Sequence, residues 1–385
     1  MFRKLVSTLL ILLFVVVLSC KGKSDKVAGE VKKAPVSETV NFITWNDDYL
    51  SALKSKVPLF EKETGIKVNW QMLSEDIVRQ KVLLDLASKS GQYDLVLTDV
   101  WIMPEHVKSG FLEPLGKFIK EDKSFNRQLW YETFLSALTY EGHLYALPME
   151  SFGTALVYRK DLFKKFGVKI PKTMSDLSAA AAKLTRDLDG DQAIDVYGVA
   201  SRAKAGEEPA IIVSGFAWAY GGSWFEKQAS TVKEIKKLKA KPAFNSPEFR
   251  KGFTVYCDLL GKYGPPGIKD YTWYEIIRDG REGKVAMLLY AGYNVGALDH
   301  PKFNMRDKYD VALPVRGPKN YIQENFAMGY GINKDSKQKE AAWKFLKFIS
   351  SETFMSGVVE DHATSIPIRS IREGERYRKM HPYLT

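Results

Sequence analysis

The chain has 385 residues, with 57 Lys and Arg against 46 Asp and Glu and a formal net charge of +11. The lysines are scattered and no nucleic-acid-binding motif accompanies them, so this charge balance does not mark a nucleic-acid-binding protein. Two cysteines, five His and no His-Glu-x-x-His, Gly-x-Ser-x-Gly or phosphate-cradling glycine loop leave no disulfide framework and no recognised catalytic motif.

At the N-terminus, Arg3 and Lys4 precede an uncharged run from Leu5 to Leu18, followed by Ser19 and Cys20. A charged pair, a short apolar core and a small residue form the layout of a secretory signal, and the run is shorter than the roughly 20 residues of a spanning helix. Val17-Leu18-Ser19-Cys20 resembles the bacterial lipoprotein signal, which implies that residues 1–19 are cleaved and that Cys20 is acylated. Acyl chains contribute ~0.8 kcal/mol per buried CH₂, so the expected product is tethered to a membrane without spanning it. Lys21 to Lys33 is rich in Lys, Gly, Ser and Glu and lacks aromatics, so residues 20–39 read as the lipidated cysteine and a flexible linker. Arg3, Lys4 and the lysine surplus between residues 21 and 34 account for five charges and leave +6 on the body. Cys257, within the apolar stretch Gly252 to Leu260, reads as a buried, inert thiol. The remaining body of about 345 residues exceeds what one core usually holds, which predicts two domains.

Folded structure is expected from Val40. Val40 to Trp45 is a β-rich run; Leu50, Leu53, Val57 and Phe60 then recur at helical spacing up to Gly65. Ile66 to Leu73 is strand-like, Ser74 can cap a helix carrying Ile77, Val78, Val82, Leu83 and Leu86, and Tyr93 to Leu97 returns to strand. Such alternation predicts a largely parallel sheet. Thr173 and Asp176 form a capping box ahead of Leu177, Ala180, Ala181 and Leu184, which share one helical face. Val311 to Pro314 and Ala327 to Ile332 are strand-like, and Lys339 to Ile349 is an amphipathic helix with Ala342, Phe345, Leu346 and Ile349 inward. Ligands of open α/β sheets bind beyond the strand ends, here Trp45-Asn46-Asp47 and Thr98-Asp99 with Trp101. A carboxylate beside an indole suits a sugar: the oxygens accept hydroxyl hydrogen bonds and the ring stacks on C–H faces. Buried tryptophans and helix-capping aspartates are the competing reading of the same residues.

Tyr93 to Trp101, Gly110 to Leu115, Gly142 to Pro148, Leu156 to Phe163, Gly283 to Met287, Ala341 to Leu346 and Ile366 to Ser370 occur in the order of a known family. Together they resemble the extracellular solute-binding proteins of the maltose/trehalose type that serve carbohydrate ABC importers. The resemblance implies an α/β, two-lobed, type II periplasmic-binding-protein-like fold, with mixed or parallel sheets flanked by helices and several crossings at a hinge. It places residues 40–148 and about 311–355 in lobe I, and 149–310 and about 356–385 in lobe II. Trp45, Asp47, Arg79 and Asp99 are expected to face the cleft from the first lobe. Glu150, Phe152, Trp218, Trp224, Trp273, Tyr290 and Tyr293 are expected from the hinge and second lobe, with Arg369 reaching back into the cleft. At least one of the three loosely aligned tryptophans, Trp218, Trp224 and Trp273, should be core. Similar proteins carry further helices where this chain ends at His381 to Thr385.

The implied ligand is a di- or oligosaccharide and the implied partner an ABC permease, for a monomeric, non-enzymatic protein at a bacterial membrane's outer or periplasmic face. The same fold binding a polyamine, a glycerophosphodiester or iron, or serving as a structural surface lipoprotein, stands as the alternative. Asp187, Asp189, Asp191 and Asp195 occupy positions 1, 3, 5 and 9 of an EF-hand-like loop, with Gln192 in place of the glycine and Gly198 in place of the final Glu. That partial match leaves a weak structural calcium site open beside a plain acidic turn; no other cofactor is expected.

Overall fold

The alternation read from the sequence folds into βα units. The structure is a computed structural model that describes residues 38–46, 48–206, 208–227, 237, 239–289, 298, 302–303, 305, 308–322, 325–359 and 366–380. The signal segment, Cys20 and the linker to residue 37 lie outside them. Strand β1 (Thr39–Trp45) leads through α1 (Asp48–Lys54) and α2 (Val57–Thr64) to β2 (Lys67–Leu73), which pairs parallel to β1 in unbroken register. Helix α3 (Glu75–Ser88) then returns the chain to β3 (Leu95–Asp99), parallel to β1 on its other side. Every residue of β3 is buried, as expected of a strand covered on both faces. Val78, Val82, Asp85 and Leu86 of α3 point inward. Ile77 and Leu83, expected among them, are exposed, because one helical face accommodates a stripe and not both flanks.

Short helices α4 (Met103–Lys108), α5 (Gly116–Glu121) and α6 (Glu132–Ala137) and the hairpin β4 (Thr139–Tyr140) and β5 (His143–Leu144) lead to β6 (Ala146–Gly153). After two residues, β7 (Leu156–Arg159) enters a second sheet, where it lies between β8 (Met287–Leu289) and β9 (Tyr309–Ala312). Its flanking helices are α7 (Lys160–Lys165), α8 (Met174–Leu184), α9 (Glu208–Ala219), α10 (Pro247–Tyr263) and α11 (Trp273–Arg281). The expected Thr173–Asp176 capping box opens α8. Cys257, expected to be buried, lies on the exposed side of α10; partial desolvation still holds its thiol above the ordinary value, followed by the charge of Asp258.

Strand β10 (Asn325–Ile332) then inserts antiparallel between β3 and β6, which gives the first sheet the order β2-β1-β3-β10-β6. Its fit is close: a Cβ on Gly329 would lie 2.0 Å from the Leu147 carbonyl oxygen. The first sheet is therefore mixed, and the named strands of the second pair antiparallel, with isolated parallel bridges at Thr173–Arg316, Tyr197–Val285 and Ala200–Leu288. A largely parallel arrangement is not realised, because strands that cross between sheets enter against their neighbours. The crossings also fall later than the sequence placed them. β6 stays in the first sheet to Gly153, β9 belongs to the second, and Ile322 is still bonded to Val315, so the return lies beyond residue 322.

Helix α12 (Lys339–Ile349) covers the first sheet, with Phe345 5.5 Å from Phe42 in an edge-on contact and Phe42 4.7 Å from Tyr330. After α13 (Glu352–Val359), helices α14 (Arg369–Glu373) and α15 (Glu375–Met380) close the described chain. They pack on first-lobe elements, through an Ile368–Trp130 bridge and a 3.1 Å bond from the Tyr131 hydroxyl to Glu373. Residues 366–380 thus side with the first lobe and not the second.

A buried polar knot ties this lobe together. Asp85 accepts from Ser90 Oγ, from the backbone N–H of Gln92 (2.8 Å) and Tyr93 (3.1 Å), and from Asn333 Nδ2 (3.0 Å). The Asn333 amide also donates to the Tyr93 carbonyl at 2.9 Å. Replacing Asp85 with Ala leaves the buried donors of Tyr93 and Asn333 unpaired, each costing about 1–3 kcal/mol, and also removes the part-buried Ser90 and Gln92 bonds. Asp85→Ala should therefore lower unfolding free energy by roughly 3 kcal/mol or more, read by urea denaturation; a loss under about 1 kcal/mol would contradict the knot's role.

Candidate functional site

The C-terminal end of β3 carries Asp99, which is fully buried. Buried carboxylates need partners, and Asp99 has three. Its Oδ1 accepts from the backbone N–H of Trp101 (2.9 Å) and Ile102 (3.1 Å), capping the turn into α4, and its Oδ2 accepts from Arg79 Nη1 at 3.2 Å. Arg79 reaches down from α3 and also donates through Nε (3.1 Å) and Nη2 (3.0 Å) to Glu75 Oε1. Burial opposes the guanidinium's charge, but Asp99 and Glu75 outweigh it and hold its pKa above the ordinary value. A guanidinium has five N–H groups, so each terminal nitrogen keeps one beyond these bonds.

Asp99 is in register with Met328 of β10, and Met328 with Glu150 of β6. Directly paired residues share a sheet face, so Asp99, Met328 and Glu150 form one transverse row, with both acidic residues buried. Beside the row, Trp101 is 39% exposed and packs edge-on against Phe326 at 4.8 Å. Phe152 pairs with Phe326 in the ladder, and its side chain lies outside the described residues. From the second lobe, Trp273 at the first turn of α11 stacks on Tyr274 at 3.8 Å and donates its indole N–H to Glu75 Oε2 at 3.1 Å. The structure therefore brings Arg79, Asp99 and Trp273 into one connected cluster.

Other expected contacts are placed elsewhere. Trp45, at the end of β1, is buried and belongs to the main hydrophobic core cluster. Trp224 donates to Ser214 Oγ at 2.8 Å and packs edge-on against Phe249 at 4.7 Å, which makes it the packing tryptophan between α9 and α10. Trp218 is 36% exposed at the end of α9, where its carbonyl accepts from Asn320. Arg369 is exposed and sits over the Tyr131 ring at 4.7 Å, a first-lobe surface contact that replaces the expected reach into the cleft. Asp47, Tyr290 and Tyr293 lie outside the described residues. Glu75 escaped the sequence reading, although its i,i+4 spacing to Arg79 in a helix's first turn was the available signal.

In the acidic loop, Asp187, Asp189 and Asp195 each offer an oxygen, all within 4.8 Å of one another. Asp191 is not in that group and accepts from Ala193 N–H at 2.8 Å. Asp187 accepts from the backbone N–H of Gly190 (2.6 Å), Gln192 (2.8 Å) and Asp189 (3.1 Å), Asp189 from Asp191 (3.1 Å) and Asp195 from Leu188 (2.6 Å), so backbone amides engage all three.

Among the described residues no helix is long and apolar enough to cross a membrane. The family model described as bacterial extracellular solute-binding protein matches residues 45–354. A mannitol-binding protein of Pseudomonas aeruginosa is 26% identical over 327 residues, covering 83% of this chain and 70% of that protein. A crystal structure of an ABC transporter solute-binding protein from Agrobacterium vitis with bound D-mannitol is 31% identical, with a TM-score of 0.77, covering 90% of this chain and 82% of that one. Another, from Agrobacterium radiobacter in complex with ribitol, is 26% identical with a TM-score of 0.79, over 91% of this chain and 86% of that one.

The position of Arg369 gives a direct check on the site's limits. An exposed cation–π contact is worth about 0.5–1 kcal/mol. Arg369→Ala should cost no more than that in a thermal melt and leave solute affinity unchanged in calorimetry; a clear affinity loss would return Arg369 to the cleft.

Proposed function

The chain belongs to the bacterial extracellular solute-binding protein family, and we propose that it captures a small neutral polyhydroxylated solute between its lobes and delivers it to an ABC permease. The observation that carries this reading is the Arg79–Asp99 pair at the end of β3 meeting Trp273 of the second lobe through Glu75. Arg79 supplies N–H groups to hydroxyl oxygens, the buried Asp99 and half-buried Glu75 hold the guanidinium in place, and Trp101 and Trp273 supply aromatic surface for C–H faces. We read the solute as an open-chain polyol or monosaccharide in preference to the di- or oligosaccharide that the resemblance first implied. The two solved structures described above, at 31% and 26% identity, hold polyols, and a curated relative at 26% identity is named for mannitol. The protein acts as a carrier and not as an enzyme, as a monomer outside the cytoplasm, held to a membrane by acylated Cys20.

Titration calorimetry of the mature body with D-mannitol, ribitol, maltose and spermidine tests the solute class. Polyol binding should appear, and Arg79→Ala should weaken it at least about tenfold, the loss of hydrogen bonds to a charged group. Binding of spermidine alone would overturn the reading. For the anchor, Cys20→Ser should abolish incorporation of labelled palmitate in cells; label that persists in the variant would show that the cysteine is not the attachment point.

A further inference from the structure

Glu75 stands at the junction of the two lobes. On one side, α3 packs Val78, Val82 and Leu86 into the first-lobe core; on the other, α11 packs Ile276 and Ile277 against Val157, Leu288 and Tyr309 of the second. Between them, Trp273 Nε1 donates to Glu75 Oε2 over 3.1 Å, joining residues 198 apart in sequence. The other oxygen, Oε1, takes both Arg79 bonds, and Arg79 continues to Asp99, itself pinned by Trp101 and Ile102. A surface i,i+4 ion pair alone would do little. Here the pair has a fully buried carboxylate behind it and an indole from the opposite lobe in front of it.

We propose that Glu75 is a latch: a positioning residue whose carboxylate ties the second lobe's Trp273 to the first lobe's Arg79 and thereby sets how long the cleft stays closed. The proposal rests on the solute-binding reading, since a latch matters only to a cleft that traps something. One carboxylate makes two kinds of contact through separate oxygens. The oxygen toward Arg79 fixes the guanidinium that meets the solute, and the oxygen toward Trp273 fixes the ring that covers it. Opening the lobes breaks only the second contact, because the first lies within α3. The latch therefore acts on release, while capture by the open form depends on Arg79 and Asp99, which stay assembled.

A double-mutant cycle on the intact mature protein tests this. Glu75→Ala removes both contacts, Glu75→Gln keeps one acceptor oxygen, and Trp273→Phe keeps an aromatic ring while deleting the N–H. D-mannitol dissociation is followed by stopped flow, and the lobe separation without solute by small-angle scattering. Trp273→Phe and Glu75→Ala should each raise the dissociation rate about tenfold with association within about twofold, and Glu75→Gln should fall between Glu75→Ala and wild type. The double variant Glu75→Ala with Trp273→Phe should be no faster than Glu75→Ala alone, because both remove one link. Rates that multiply in the double variant, or an unchanged rate in Trp273→Phe, would overturn the latch. If wild type bound no polyol, the solute reading would fail, and scattering would still decide the latch: an equal lobe separation in wild type and Glu75→Ala would overturn it separately.

Discussion

A carboxylate buried at the end of a strand must be hydrogen-bonded, and the way Asp99 meets that requirement organises the rest of the site. Two of its partners are backbone N–H groups of the next turn, so the carboxylate starts α4 and fixes the strand's exit. The third is Arg79, drawn out of solvent by Asp99 and Glu75 together against the cost of burying its charge. Asp99 is then mostly spent on the protein itself. The group left to face a solute is the guanidinium it holds, with the carboxylate acting from behind.

That arrangement needs a fixed sheet beneath it. β10 fills the gap between β3 and β6 and puts Asp99, Met328 and Glu150 in one row, and Gly329 lets the strands approach where a side chain would collide with the Leu147 carbonyl. The second sheet contributes differently. Its core positions α11 so that Trp273 projects from the helix's first turn, which the Thr272–Glu275 capping box fixes. One lobe therefore presents charges held by other charges, and the opposite lobe presents aromatic surface. Neutral molecules with many hydroxyls on a hydrocarbon frame match both halves at once.

Much of this was legible in the sequence wherever local periodicity decides structure. The β1–α2–β2–α3–β3 run, the Thr173 capping box and the inward face of α12 follow from spacing alone. Asp99 was legible as a strand-end carboxylate. Its partners were not, because which oxygen a buried acid shares with which donor depends on side chains that meet only after folding. Trp45 and Trp224 show the same limit from the other side: a tryptophan near a strand end or in a loop has equal claim to core and cleft until its neighbours are known. The lobe boundaries failed for a topological reason, since a strand such as β9 reads identically whichever sheet receives it. Arg369 was assigned by resemblance to the cleft, and the helix that carries it instead lies beside Tyr131.

Asp85 and Asn333 are 248 residues apart, and the strand that leads to Asn333 is the one that bridges β3 and β6. The amino-terminal lobe therefore cannot be finished from its own contiguous segment. Until the last sixty or so residues arrive, its central sheet has a vacant lane and its buried acid lacks a donor. Contacts this remote in sequence slow folding. A lobe built this way becomes rigid only when both of its segments are present, so its order depends on the joint pairing of β3, β10 and β6 and not on any one stretch of chain.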